Sequence, residues 1–370
     1  MFLALRELRH ARLRFAMIAA IMTLIAWLVF LLSGLANGLA ADNAGAIQRL
    51  PADYLVFQAD SRLLLQRSTL PPSAVAAVAA VPGVTAAAPL GQTMATVRRA
   101  AGGDQLDAAI LAIDPASFLA PPIASGRPLQ GAPANGVVVD RKLAEHGVVL
   151  GDTLLLQPSG RPLVVVGFTS GQAYSHAPVI YAPLARWPEL RAAVPGAAGA
   201  GDTPINAVAV RADSAAAGRI AAAVPGVAVA SRAEAVQQVP GYQEERGTLL
   251  MIQVFLVVIA AFIIAAFFYV LTMQKTAQFG VLKALGASTG FLARDLLGQV
   301  LLLTVGGIAL GAALAFGVAG LLPGAIPFAL APHLVGLYGA ALLAVALGGA
   351  LLSLRRIATT DALSAIGRVE

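Results

Sequence analysis

The segment 274–292 carries the side chains of this 370-residue chain whose type and spacing best suit a chemical task, and that task is binding. Apolar side chains recur there at helical spacing, lysines flank them and a glycine follows: Phe279, Leu282, Leu285, Lys275, Lys283 and Gly286. Ser288 can then cap a following helix. An amphipathic helix of this kind can enter a groove on a partner protein. It can equally lie on an anionic lipid surface, and the residues alone leave both alternatives open.

Motifs for catalysis or metal binding do not accompany this segment. The Walker A pattern G-x-x-x-x-G-K-[ST] is absent because no glycine precedes a lysine, so we predict that the chain has no P-loop for ATP. The four histidines lack the spacing of metal ligands: His10, His146, His176 and His333. We therefore predict no catalytic residues, no metal site and no intrinsic cofactor, hence a protein that is not itself an enzyme.

A second polar group lies just before a long apolar run. The stretch VPGYQEERGTLL contains Tyr242, Glu244 and Glu245. Carboxylates so close to hydrocarbon are costly unless they remain at the membrane interface. One interpretation is that they are solvated charges with Arg246 as a partner. The alternative is that they belong to a ligand site.

Long uncharged runs flank the segment 274–292 and the polar residues of VPGYQEERGTLL, and these runs must position both. With 58% hydrophobic residues, 12% charged residues and a mean hydropathy of +0.79, the chain is not an ordinary soluble domain. A membrane helix needs about 20 apolar residues, and the run 296–354 is long enough for two, broken by LLPGAIPFALAPH. We predict membrane helices at 15–38, 248–273, 296–320 and 334–354, with a cytoplasmic segment at 274–295 and a short external loop at 321–333.

Charge placement predicts the orientation. Residues 40–246 contain fifteen basic and fifteen acidic side chains, so the whole net charge of +6 lies elsewhere. Because Lys and Arg accumulate on cytoplasmic flanks, both termini and 274–295 are predicted on the cytoplasmic side of the cell membrane, and 40–246 on the outer side. The N-terminal 1–14 then forms an interfacial helix and 355–370 a cytoplasmic tail, both beside membrane lipid. The basic residues are not interleaved with aromatic ones, so no nucleic-acid partner is expected.

The external stretch has an internal repeat. Residues 73–97 and 215–239 each run from an Ala-rich segment through V-P-G-V into β-branched residues, which predicts helix, turn and strand. Between them, 136–168 predicts strand, short helix, strand, hairpin and strand, within a β-rich subdomain at about 105–185. The predicted fold class is an α-helical membrane protein with four transmembrane helices and a large extracytoplasmic α+β domain (40–246) between helices 1 and 2.

The pattern K-x-x-Q-F-G-V-L-K-A-L-G-A-S at 275–288 resembles the signature of the permease subunits of type VII ABC transporters, the MacB/FtsX-like superfamily. It is similar to the HrtB/DevC branch in particular. The resemblance implies a coupling helix, formed by the residues above together with Gly280, that docks on a separate HrtA-like P-loop ATPase carrying ATP and Mg²⁺. It also implies a second copy of the chain and a MacB-like external domain.

The same resemblance implies a substrate. HrtB-like permeases export haem laterally from the membrane, which would place an amphipathic ligand between spans one and two at the outer leaflet. Tyr and Met are axial ligands of haem iron, carboxylates can assist, and aromatic rings can stack on a flat ligand. The implied candidates are Tyr242, Glu244, Glu245, Met251, Met22, Trp27 and Phe30. Glycolipid export, as in DevC-like members, and mechanical signalling without transport, as in FtsX-like regulators, are the alternatives.

Overall fold

The structure is a computed structural model that describes residues 12–193, 203–274, 281, 285–322 and 326–359. Contacts between Cα atoms divide the chain into two units. One is an α+β unit built on Leu39–Arg246, and the other is a helical unit that contains most of the long helices. Four long apolar helices and a large α+β domain between the first two confirm the predicted fold class.

The helices described here are numbered in chain order. They are α1 (Arg12–Gln48), α2 (Ser73–Ala79), α3 (Lys142–Glu145), α4 (Trp187–Ala192), α5 (Ala216–Ala223), α6 (Arg232–Gln237), α7 (Tyr242–Gln274), α8 (Thr289–Ala319) and α9 (Pro332–Thr359).

The strands all belong to the α+β unit. They are β1 (Tyr54–Gln58), β2 (Val84–Arg99), β3 (Gln105–Ile113), β4 (Ser125–Gly126), β5 (Gly136–Asp140), β6 (Thr153–Gln157), β7 (Arg161–Thr169), β8 (Ala173–Tyr174), β9 (Ala177–Pro183), β10 (Ala207–Ala212) and β11 (Val227–Ser231).

Each of the four long helices extends beyond the membrane-spanning stretch expected from hydropathy, at one end or at both. Each of α1, α7, α8 and α9 contains a segment long and apolar enough to cross a membrane. Helix α1 has 37 residues and α7 has 33, which correspond to about 55 and about 50 Å, against about 30 Å of hydrocarbon. Helix α1 passes the expected end of the span at residue 38 and continues to Gln48. Helix α7 begins at Tyr242, before the expected start at 248.

One continuous sheet organises the α+β unit, in the order β11-β1-β10-β2-β3-β9-β5-β7-β4. Strand β6 pairs with β2 and β7, and β8 pairs with β9. Neighbours are antiparallel except for β3 with β9 and β5 with β7, which are parallel. The order β5, α3, β6, β7 confirms the strand, helix, strand, hairpin and strand predicted for 136–168.

The predicted internal repeat is present in the structure. Helix α2 leads through Gly83 into β2, and α5 leads through Gly226 into β11. Both glycines have a left-handed backbone, with φ of 91° and 76°, that a residue with a Cβ adopts at a cost. Side chains from the two repeats meet in one hydrophobic cluster that includes Val78, Val81, Ile220 and Val224. The two copies therefore share one hydrophobic core.

Glycine allows two helices of the helical unit to pack closely. A Cβ on Gly307 of α8 would lie 2.8 Å from the Cβ of Met22 on α1, and one on Gly311 would lie 2.8 Å from the Cβ of Ala26. Helices in a membrane approach each other through such small residues because apolar attraction alone does not distinguish a neighbour from lipid. These close approaches place α1 directly against α8 along a seam that includes Gly307 and Gly311.

Candidate functional site

The first turn of α7 directs its three candidate side chains in different directions. Tyr242 is buried in the main core of the α+β unit, and its hydroxyl lies 3.5 Å from Nε2 of Gln48. Glu244 is exposed. Glu245 is half-buried, and its Oε2 accepts a hydrogen bond from Nδ2 of Asn43, at 3.2 Å. Neighbours in sequence therefore have separate surroundings, with Glu245 turned towards α1.

A histidine joins these two helices. His176 Nε2 lies 3.5 Å from Glu245 Oε2, and His176 Nδ1 lies 3.6 Å from Asp42 Oδ2. The other oxygen of Asp42 contacts the ammonium group of Lys142. We refer to the group formed by Asp42, Asn43, Lys142, His176 and Glu245 as the histidine clasp. All five residues lie in the α+β unit.

The turn between β8 and β9 presents His176 to the clasp. Tyr174 pairs with Ala177, so that Ser175 and His176 form a two-residue hairpin turn, with φ of 51° and 64°. Two successive left-handed residues define the type I′ turn, which usually contains Asn and Gly because a side chain is costly there. The backbone N–H of Ser175 donates to the carbonyl of Asn43 over 2.6 Å. This unusual turn therefore docks directly on the outer end of α1.

A buried polar network supports the segment that leads to this turn. Asp140 is 2% exposed and accepts hydrogen bonds from the backbone N–H of Gln172, at 2.6 Å, and of Lys142, at 3.0 Å. The Tyr181 hydroxyl donates to Gln172 Oε1 over 2.9 Å. Burial raises the pKa of Asp140 and of Tyr181 because it penalises their charged forms. Arg49 donates to the carbonyl of Ser170 over 2.8 Å.

Sequence reasoning missed the members of the clasp that come from outside α7. His176 was one of four dispersed histidines, and Asp42 was only the first charge after an apolar run. A weak signal was present, since Asp42 and Asn43 interrupt apolar sequence at the outer end of a predicted span. Nothing in the local pattern pairs them with a residue more than a hundred positions away.

Two open cavities flank the first turn of α7 and the clasp. The larger, of about 770 Å³, is lined by Met94, Ala95, Thr96, Gln105, Asp107, Gln157, Pro158, Ser175, His176, Ala177 and Pro178. The smaller, of about 560 Å³, is lined by Gln48, Ala52, Asp53, Tyr54, Ser231, Arg232, Ala233, Val236, Gln237, Tyr242 and Arg246. Both are mixed in polarity, so neither has the apolar lining typical of a closed small-molecule pocket.

The candidate haem-binding residues of the helical unit do not come together in one site. Met22 is 7% exposed and packs in one hydrophobic cluster, whereas Phe30 is fully buried in another that Trp27 flanks. The Trp27 Nε1 is buried and has no hydrogen-bond partner among the described residues. Met251 is 55% exposed. Met22 and Phe30 therefore serve helix packing in this conformation, and Met251 faces outward.

Much of the predicted coupling segment, namely Lys275, Phe279, Gly280, Leu282 and Lys283, lies outside the described residues. Its end is described. Leu285 is 79% exposed, and its N–H donates to the carbonyl of Val281. Gly286 then has a φ of 95°, as expected where a helix ends. The Ser288 hydroxyl accepts from the N–H of Phe291 and caps α8, which confirms the predicted cap.

Comparison with known proteins covers nearly the whole chain. A MacB-like periplasmic core domain matches residues 15–227, and an FtsX-like permease C-terminal domain matches residues 250–362. A protein of Staphylococcus haemolyticus, provisionally named hemin transport system permease protein HrtB, is 27% identical over 370 residues and all of both chains. A protein of Staphylococcus epidermidis with the same name is 26% identical over 99% of each chain.

Solved structures of external domains are also similar to part of the chain. The periplasmic region of MacB from Actinobacillus actinomycetemcomitans matches 53% of this chain and 96% of its own, with a TM-score of 0.38 and 15% identity. The extracellular domain of YknZ, a noncanonic ABC-type transporter from Gram-positive bacteria, matches 48% and 98%, with a TM-score of 0.34 and 16% identity.

The two family regions together cover most of the helices and strands of the chain. The first family region includes α1 and most of the α+β unit, and the second includes most of α7 and the helices after it. The chain has four helices long and apolar enough to cross a membrane and an external domain between the first two, as the transmembrane subunit of a transporter has. The chain belongs to the MacB/FtsX-like superfamily of type VII ABC transporter permeases and is of the HrtB type.

Proposed function

We propose that this chain is the permease subunit of an ATP-driven exporter that removes haem from the cell membrane. The observation that carries the proposal is the similarity to hemin transport permeases over the full length of the chain, at 27% identity. That similarity extends across both family regions, so it includes the external domain as well as the membrane helices.

Candidate haem-contacting residues differ in their accessibility. Glu244 and Met251 have solvent-exposed side chains on α7. Tyr242 and Glu245 are engaged within the α+β unit, so they can serve haem only after they leave those partners. Met22, Trp27 and Phe30 lie among helix-packing residues and require that the helices separate. We propose Glu244 and Met251 as the first contacts.

Absorption spectroscopy tests the haem proposal. The chain, purified with its ATPase and titrated with hemin, is expected to develop a saturable Soret band, and cells that express it are expected to tolerate hemin. Glu244→Ala and Met251→Ala should each weaken binding, whereas Asp60→Ala, which changes an exposed acid just after β1, should not. A complex without a Soret change, in cells without added tolerance, would contradict haem as the substrate.

Docking of a separate ATPase is the second part of the proposal. The apolar face of the coupling segment ends at Leu285, whose side chain is almost fully exposed and therefore free to enter a partner's groove. Leu285→Asp is expected to prevent co-purification of the ATPase. Leu321→Asp is the matched control, because Leu321 is 84% exposed and lies in the predicted external loop. Equal loss in both variants would argue against docking at Leu285.

Pairing of two chains completes the proposed assembly. Closed two-fold symmetry is the commonest arrangement of soluble homo-oligomers and would give eight membrane helices with one ATPase per permease. The mass of the detergent-solubilised complex is expected to correspond to two permeases and two ATPases. A mass that corresponds to a single permease would contradict the pairing.

Force transmission without transport is a second candidate function. The observation that favours it is the continuity of α1 and α7, which extend from membrane-spanning stretches into the α+β unit without a break. Under this function the ATPase cycle would still depend on Leu285, but hemin tolerance and hemin binding would not change in any variant. Hemin tolerance therefore separates the two functions.

A further inference from the structure

We propose that the smaller cavity of the α+β unit, which is lined by residues of α1, α6 and α7, binds the phosphate group of a membrane phospholipid. The cavity has a volume of about 560 Å³, and Arg232 and Arg246 belong to its lining. Neither Glu244 nor Met251, the proposed first contacts of haem, is among the lining residues. The proposal therefore does not depend on haem as the substrate.

The lining of this cavity is apolar where it is buried and polar where it is exposed. Ala52, Val236 and Tyr242 are buried and belong to the main core of the α+β unit. Arg232 and Arg246 are exposed to solvent. This combination matches a ligand that is charged at one end and apolar at the other, as a phospholipid is where its headgroup meets the acyl chains.

The charged groups of the lining favour an anion. Arg232 and Arg246 contribute two positive charges and Asp53 contributes one negative charge, so one positive charge remains. Oδ2 of Asp53 accepts a hydrogen bond from the backbone N–H of Ala212, at 3.0 Å. A phosphodiester carries a single negative charge at neutral pH, which balances the charge of the lining.

Both guanidinium groups have donors available for a phosphate. Nη1 of Arg232 donates to the carbonyl of Leu50 over 3.0 Å, and this bond uses one of the five N–H groups of the side chain. Glu245, the acid beside Arg246 in sequence, instead accepts from Asn43 of α1. No ion pair of Arg246 is found in the part of the chain that the structure describes. The planar fork of arginine fits two oxygens of one phosphate group.

The position of the cavity along α1 and α7 agrees with a headgroup site. Arg246 directly precedes the uncharged run 247–274, and Tyr242 lies four residues earlier, about 6 Å along the helix. Gln48 lies about 10 Å beyond Ala41, where the uncharged run of α1 ends. The headgroup layer of a bilayer is about 5–8 Å thick on each side of the hydrocarbon. The cavity is therefore expected in or just above the layer that contains the lipid phosphates.

Native mass spectrometry of the full chain in detergent micelles tests the inference. Dimyristoylphosphatidylglycerol is expected to remain bound at one molecule per chain, whereas dimyristoylglycerol, which lacks the phosphate, should dissociate. Glycerol 3-phosphate, which has a phosphate but no acyl chains, should not displace the lipid at the same concentration. Equal retention of dimyristoylglycerol would overturn the recognition of phosphate. Displacement by glycerol 3-phosphate would overturn a membrane lipid as the source of that phosphate.

Two pairs of variants distinguish the cavity from the rest of the lipid-contacting surface. Arg246→Gln should weaken retention of phosphatidylglycerol by about tenfold or more, because a charge-assisted contact is lost. Arg141→Gln removes the same charge from an exposed position outside the cavity and should bind as the parent chain does. Ala233→Trp, at an exposed position of the lining, fills the cavity without a change of charge and should also weaken retention, whereas Ala222→Trp on α5 should not. Equal retention within either pair would overturn the proposal.

Discussion

Asp140 shows how a single buried carboxyl couples stability to pH. Burial raises the pKa of Asp140, despite two backbone N–H donors that lower it. The folded state therefore holds this proton more tightly than the unfolded state, and the contribution of Asp140 to stability falls as pH rises through the ordinary carboxyl range, above about 4. The effect lies next to the clasp, since Asp140 binds the backbone N–H of Lys142.

The Asp140→Asn variant is expected to gain stability relative to the parent chain as pH rises from about 4 to 7, on top of a constant loss for the weaker acceptor. The melting temperature of the full chain at several pH values measures this slope. Asp213→Asn should show the opposite slope, and in the more acidic range below about pH 4, because a hydrogen bond from Arg219 lowers the pKa of Asp213 and the parent chain loses that stabilisation only as the pH falls. Slopes of the same sign in the two variants would contradict the assignment.

Single residues were the part of the site that sequence predicted least well. The pair Glu244 and Glu245 was recognisable from its place before an apolar run. Their different surroundings depend on the helical rotation of 100° between neighbours, combined with the position of α1. His176 could not be predicted, because its partners come from chain segments that meet only after the sheet has formed.

At the scale of elements, hydropathy predicted the four long apolar helices, and these helices continue beyond the predicted membrane-spanning stretches. Hydropathy reports which solvent a segment prefers, whereas a helix ends where the backbone can no longer continue. After residue 38 the sequence LAADNAGAIQ becomes more polar, yet it contains no proline, so α1 continues to Gln48. The repeat was predictable because turn and helix signals are local. The parallel pairing of β3 with β9 was not, since it depends on a crossover.

The seam between α1 and α8 gives a prediction with a matched control. Gly307→Leu should lower the melting temperature, because its side chain meets Met22 within 3 Å and overpacking costs about 1–3 kcal/mol. Gly306→Leu, one position away, meets nothing within 4 Å and should leave the temperature unchanged or raise it. The comparison uses the same substitution in the same helix. A similar loss in both variants would show that helix propensity or lipid contact, and not the seam, decides the outcome.

At the scale of the whole molecule, the distribution of charge predicts on which side of the membrane each part lies. The neutral stretch 40–246 is expected outside, and the segment that ends at Leu285 is expected inside. With this topology, the clasp and the coupling segment are expected on opposite sides of the bilayer. The fold class was predictable at this scale because composition and charge are sums over many residues, and such sums tolerate local errors.

Single cysteines test the topology directly, since the natural chain has none. A membrane-impermeant maleimide added to intact cells should label Ala101→Cys, an exposed position in the turn between β2 and β3. Leu285→Cys should be labelled only after the cells are permeabilised. Labelling of Leu285→Cys in intact cells, with Ala101→Cys protected, would indicate the opposite orientation of the chain in the membrane.

Helix α7 is uninterrupted from Tyr242 to Gln274, so each residue inserted within it turns the side chains on one side of the insertion by about 100° against those on the other. Inserting two alanines after Gly247 would rotate one part against the other by about 200°, whereas inserting four would rotate it by only about 40°. We expect the longer insertion to be the less harmful in both melting temperature and transport. Damage that simply grows with the number of inserted residues would contradict this. Less damage from the four-residue insertion would show that the angular relation of side chains along α7 matters more than the length of the helix.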